Sequence, residues 1–294
     1  VLVLIGYLVV FSTVFGGFMI AGGQLGALYQ PTELLIIGGA GLGAFIVGNN
    51  GKSIKATVRA LPHLFHGSLY TKAIYMDLMA MMFLLLTKAR KGGMMQLESD
   101  IEDPKSSPIF STYPRLLADA SLMNFVIDYL RLMISGSMNT FEIEALMDEE
   151  IETCEHEHEV PASSLNSVGD AFPAFGIVAA VMGVVNALAS ADRPAAEMGE
   201  LIAHALVGTF LGILLAYGFF LPLATLLRQK SAEQIKMLQC IKITLLSSMN
   251  GYAPQIAVEF GRKTLFSSER PTFVELEDHV REAKSSASSE SAAS

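Results

Sequence analysis

Cys154, His156 and His158, in the run CEHEH, put three side chains able to bind transition metals within a few positions. Their one-residue gaps aim successive ligands at different faces of a helix, and no second Cys/His pair follows, so no metal site is expected. There is no GxxxxGK[ST] phosphate loop, no GxGxxG after a strand and no Ser/His/Asp pattern, and nothing points to an enzyme. The remaining candidates do a different chemistry. Thr209 sits beside Ala205, Gly208, Gly212 and Ala216, small residues at helical spacing in an uncharged run. Such a threonine either bonds its own backbone or, on a water-filled path, positions a proton. Pro173 and Pro222 lie at the corresponding ends of two uncharged runs, which antiparallel helices would bring to one depth. Pro173 reads as a first-turn proline with Asp170 as its cap. Pro222 reads as a kink near a helix end that deprives the Gly218 carbonyl of its partner. Together they would make a hinge or a hydrated notch.

The elements that must hold these residues are written in the charge pattern. Nineteen of the twenty Lys and Arg residues fall between Lys52 and Arg131 or between Arg228 and Lys284. Around them lie four uncharged runs, Val1 to Gln30, Leu34 to Asn50, Ala171 to Ser190 and Leu201 to Leu227. Each can supply the roughly 20 apolar residues that cross a bilayer as helix. The basic stretches face the cytoplasm by the positive-inside rule, and the short turns Gly22 to Glu33 and Ala191 to Glu200, whose single basic residue is Arg193, lie outside. The expected fold is all-α, an integral membrane protein with four transmembrane helices and a helical cytoplasmic domain. Residues 1–50 hold spans one and two, 51–170 a cytoplasmic helical loop, 171–227 spans three and four, and 228–294 a cytoplasmic C-terminal helix and disordered tail.

A net charge of -9, with the bases dispersed among more numerous acids, excludes a nucleic-acid surface. Cys154 and Cys240 fall in cytoplasmic segments and are expected to be reduced thiols. The first run lacks a basic n-region and continues past Ile20, so span one is expected to remain rather than be cleaved as a signal peptide. Val1 in place of Met suggests a non-standard start codon or a processed end.

In the loop, Leu78 to Leu86 (LMAMMFLLL) is too short to span and reads as the buried face of a cytoplasmic helix. Leu122, Phe125, Val126, Tyr129, Leu130 and Met133 share one helical face, which should stop at Gly136. Asn139 with Glu142 forms a capping arrangement for the next helix. That helix carries nine carboxylates between Glu142 and Glu159, a solvated face or a docking surface. After Ser285 only Ser, Ala and Glu occur, and disorder is expected. Gly38, Gly39, Gly41 and Gly43 suit span two to close helix packing, which leaves span one as the outer helix. None of the four runs has Asp or Glu in its interior, and His204 lies near the outer end of span four. An ion-driven machine needs an ionisable group at membrane depth. Either this chain moves no ions or a partner supplies the acid.

The two-plus-two topology with its large inner loop, the segment ALVGTFLGIL followed by Pro222, the stretch VGDAFPAFGIVAAVMGVVNAL and the run MNTFEIEALMDEEIET resemble the MotA family of flagellar motor stator proteins. The resemblance covers essentially the whole chain, is greatest to the proton-driven enterobacterial form, and extends distantly to ExbB and TolQ. It implies a ring of subunits, a pentamer, around a dimer of the single-span protein MotB in the bacterial inner membrane. MotB would supply the membrane aspartate and a peptidoglycan anchor. Protons would be the coupling ion, with no cofactor, and the loop would act on the rotor protein FliG. The family's rotor-facing charges correspond to Arg90 and Glu98, which by themselves read as surface charges. Its functional prolines fall on Pro173 and Pro222, and its channel-side positions on Thr209 and Ala180.

Two other readings compete. An ExbB/TolQ-like energy-transducing subunit would usually have three spans. A self-contained ion transporter would need its own midplane charge and often internal repeats, and spans one and two do not echo spans three and four.

Overall fold

A computed structural model describes residues 2–65, 67–190 and 192–293, with side chains through Ser285; the expectation about Val1 lies outside them. Every regular element among the described residues is helical. The chain begins with α1 (Leu2–Ile20), one turn of α2 (Leu25–Leu28), α3 (Pro31–Gly48) and α4 (Gly51–Ala60). It continues through α5 (Lys72–Gly92), the short α6 (Glu98–Glu102), α7 (Pro108–Ser111) and α8 (Pro114–Leu117), and α9 (Ala120–Ser135). Then come α10 (Thr140–Ala189), α11 (Ala195–Ile213), a π-helical stretch at Leu214–Phe220, α12 (Leu221–Met249), α13 (Pro254–Thr264) and α14 (Phe273–Ala293). Four helical stretches are long and apolar enough to cross a membrane: Leu2–Ile20, Leu25–Gly48, Thr140–Ala189 and Ala195–Met249.

The chain divides into two compact units. One contains Val1–Gly67 and Glu157–Lys230, and the other Ser68–His156 and Ser231–Ser294. In the first, α1 buries no residue. A β-branched and aromatic helix of that kind suits lipid, where apolar side chains need no protein cover. It is held by rings: Tyr7 lies 4.8 Å from Phe219, Phe11 5.3 Å from Phe219, and Phe15 6.3 Å from Phe210. Span two packs inward through Ile37 and Gly41, whose missing Cβ makes room for the Phe172 ring. Its other glycines behave differently from expectation, since nothing lies within 4 Å of a Cβ at Gly38, Gly39 or Gly43. Only one glycine in the run meets a neighbour within the chain.

The second unit forms around α5. Leu78, Met79, Ala80, Met81, Leu85 and Leu86 are buried there, as a short apolar run in a soluble helix requires. Leu122, Phe125, Val126, Tyr129 and Leu130 of α9 join this core, with Met133 partly buried. Asp119 Oδ1 accepts the Leu122 N–H at the start of α9, and Gly136 ends the helix in the left-handed region at φ 62°. At the next helix the Asn139 side chain accepts from the N–H groups of Phe141 and Glu142, while Glu142 accepts from the Asn139 N–H. This is a reciprocal capping box.

Three expectations change. Pro173 is not a first-turn proline: α10 runs unbroken through Pro161 and Pro173, and Asp170 is an interior residue that accepts from Asn166. Fifty residues exceed any bilayer, so the apolar window occupies only the later part of a longer helix. Pro222 likewise ends nothing, because helix continues through it to Met249. The backbone accommodates it with the preceding π-helical stretch, where the Leu221 N–H bonds to the Ala216 carbonyl five residues back. A widened turn absorbs the proline's missing donor and its ring without breaking the rod. Finally, α14 continues to Ala293 where disorder was expected after Ser285, consistent with the helix propensity of Ala and Glu.

Candidate functional site

Where α10 and α11 cross, both are built from residues that let backbones touch. A Cβ on Gly176 would lie 2.8 Å from the Gly208 carbonyl oxygen and 3.2 Å from Gly212 Cα. Further along, Gly183 meets Ala205. The small-residue stripe of span four is therefore a packed seam, with Ala205, Gly208, Gly212 and Ala216 all buried. In lipid such close approach replaces the hydrophobic driving force with dispersion contacts.

Thr209 and Ala180 border this crossing. Thr209 Cα is 3.3 Å from the Cβ position of Gly176, and the Ala180 nitrogen 3.4 Å from that of Gly208. Both residues are half-buried. Thr13 and Thr225 donate to carbonyls four residues back, but the Thr209 hydroxyl makes no hydrogen bond among the described residues. Its oxygen is not occupied by its own helix.

The two prolines sit at one level. Phe172, just before Pro173, meets Phe220 edge-on with ring centroids 4.7 Å apart, and a Cβ on Gly169 would lie 2.7 Å from Leu221 Cδ2. The residues flanking Pro173 thus pack on the residues flanking Pro222. Pro173 is half-buried and Pro222 exposed. Thr209, Ala180, Pro173 and Pro222 all belong to the first unit, whereas Arg90 and Glu98 belong to the second.

Arg90 is in the last turn of α5 and Glu98 opens α6, and both are exposed. Gly93 makes the turn between them at φ 87°, a conformation L side chains rarely adopt. The register of the two helices is fixed from beneath by Asp100, which is 2 % exposed. Its carboxylate accepts from Lys88 Nζ at 2.6 Å and from Ser107 Oγ at 2.7 Å. The acidic face of α10 is partly tied: Glu150 accepts from the Tyr129 hydroxyl, Asp148 from Lys242, and Glu159 from Arg228. Burial and the Glu150 partner push the Tyr129 phenol well above its ordinary range.

One residue was misplaced by sequence reasoning. Glu33, assigned to the outer turn, lies in the first turn of α3 and is 7 % exposed, against Gly208. The available signal was Pro31, which marks a first helical turn and draws Glu33 inside it.

Two long polytopic pairs, a close-packed glycine crossing and aligned prolines define a helical membrane protein, and residues 118–240 match the MotA/TolQ/ExbB proton channel family. Residues 4–93 match the motility protein A N-terminal family. The chain is 73 % identical to motility protein A of Salmonella typhimurium over 280 residues, covering 95 % of each chain. It is 71 % identical to that of Escherichia coli over 283 residues, covering 96 % of each. A solved structure of the flagellar MotAB stator complex from Bacillus subtilis superposes with a TM-score of 0.68 at 26 % identity, covering 87 % of this chain and 92 % of that one. The structure of Campylobacter jejuni MotAB shares the fold, with a TM-score of 0.75 at 21 % identity over 90 % and 95 % of the two chains. The chain belongs to the motility protein A family, and is a stator subunit of the flagellar motor.

Proposed function

We propose that this subunit assembles with MotB in the bacterial inner membrane into a proton-conducting complex that turns ion flow into torque on FliG. The observation that carries the reading is the packing of the Pro173 level on the Pro222 level, next to a widened helical turn and below an unengaged threonine. Such a bundle has the means to hold two arrangements. A carboxylate from MotB beside it would change charge as protons arrive and leave, and bare charge in a membrane is costly enough to bias the choice between them. One elementary charge crossing a potential of about 100 mV releases about 2.3 kcal/mol, so work is done in small repeated steps.

The chain acts without a cofactor and without making or breaking covalent bonds in a substrate. Five copies would surround a MotB dimer; the open glycines of α3 and the uncovered α1 offer faces for neighbouring chains. Arg90 and Glu98, exposed and held in register by Asp100, would present opposite charges to FliG. Gentle detergent purification of the tagged chain from its native membrane, followed by mass spectrometry, tests the assembly. Recovery of a single-span protein with a membrane aspartate and a peptidoglycan-binding domain is expected. A homo-oligomer without such a partner would overturn the reading.

A further inference from the structure

Glu33 Oε2 is buried and has no hydrogen-bond partner among the described residues. An unpartnered carboxylate in an apolar bundle is expensive, and its retention calls for a use. The space it occupies exists because residue 208 is glycine: a Cβ there would lie 2.6 Å from Oε2. His204 lies one helical turn before Gly208 on α11. His204 in turn faces Glu200 across 3.9 Å. Exposure falls along this series, with the Glu200 side chain 70 % exposed, that of His204 36 %, and Glu33 7 %. It ends at the backbone beside Thr209. The other elements here add no charge: α2 is LGAL, and α10 contributes Ala179 and Ala180.

We propose that Glu33, loaded through His204, is a proton-accepting group in the outer half of the ion path. The His204 imidazole takes a proton from water outside, and its N–H passes a proton through water to the Glu33 carboxylate. The carboxylic acid then releases it to water on the Thr209 side, so both groups return to their starting forms. The inference rests on the proton-conducting reading above and adds a relay that this chain supplies itself, ahead of the partner's acid. Carboxylate and imidazole are the side chains suited to exchanging protons near neutral pH.

The test is proton uptake, under an imposed potential, by vesicles holding the complex with MotB, with co-purification reporting assembly. E33Q, which keeps the shape and loses the titrating group, should lower uptake roughly tenfold or more with assembly retained. E33D should restore most of it. H204Q should slow uptake and alter its dependence on external pH. Uptake by E33Q at the unmodified rate would overturn the relay. Should E33Q fail to assemble, H204Q decides, and unchanged rate and pH profile there would overturn it. If the unmodified complex takes up no protons, the conducting reading fails and this inference with it.

Discussion

Phe172 and Phe220 meet edge to face with centroids 4.7 Å apart, one next to Pro173 in α10 and the other at the end of the π-helical stretch before Pro222. The contact joins two places where backbone hydrogen bonding departs from the regular ladder. A local change in one helix therefore presses on the irregular turn of the other. Replacing Pro222 with Ala restores an N–H and lets the widened turn revert to α-helix. P222A and P173A are expected to assemble with MotB and to lose rotation of tethered cells; normal rotation in both would remove the coupling role.

Gly176 tests the crossing. In G176A the new Cβ would sit 2.8 Å from the Gly208 carbonyl, a contact with backbone that cannot swing aside. Overpacking of this kind costs about 1–3 kcal/mol. Thermal melting of the purified complex should show the loss.

Arg90 and Glu98 are exposed, so their reversal should leave the fold unchanged while impairing torque. R90E and E98K should each slow rotation, and reversing the facing charge on FliG should restore part of it. Absence of any defect would return both to ordinary surface charges.

Glu275 anchors α14 to α5. It accepts from Lys72 Nζ at 2.8 Å and from the Thr272 N–H, and the Lys72 bond above all lowers its carboxyl from 4.5 to about 2. A group depressed on folding adds stability above its unfolded value, and that stability fades as pH falls from 4.5 towards 2. Hydrogen exchange at the start of α14 should accelerate across that window. E275Q should lose the pH dependence.

Cys240 is buried in the core against Gly261 of α13, and burial pushes its thiol up to about 12. Thiolate is the reactive form, so alkylation of Cys240 should wait for unfolding. Labelling at native rates would contradict the packing of Gly261 against it.

Much of this fold is legible because lipid leaves few options. Uncharged runs bounded by basic stretches give four spans, and the period of Leu122 to Met133 gives the face of α9. The Asn139 box and Gly136 are local chemistry, and local chemistry is written in neighbouring residues. Continuity was harder. Pro173 and Pro222 look like ends, because a proline removes a helical donor. Whether a helix nevertheless continues depends on the packing of Phe172 and Gly169 against Phe220 and Leu221, partners distant from them in sequence. Glu33 was hidden for the same reason: its burial is decided by a glycine on α11. Gly38, Gly39 and Gly43 show the converse, a pattern that specifies close packing without naming the neighbour.

The central claim is that proton flow through this subunit's complex drives rotation. The most direct measurement expresses the chain in cells lacking their own motility protein A and records tethered-cell rotation while the proton gradient is collapsed and a sodium gradient is kept. Rotation that starts with expression and stops with the proton gradient is the predicted result. Paralysed cells carrying the chain and MotB in their membranes, or rotation that follows sodium, would contradict it.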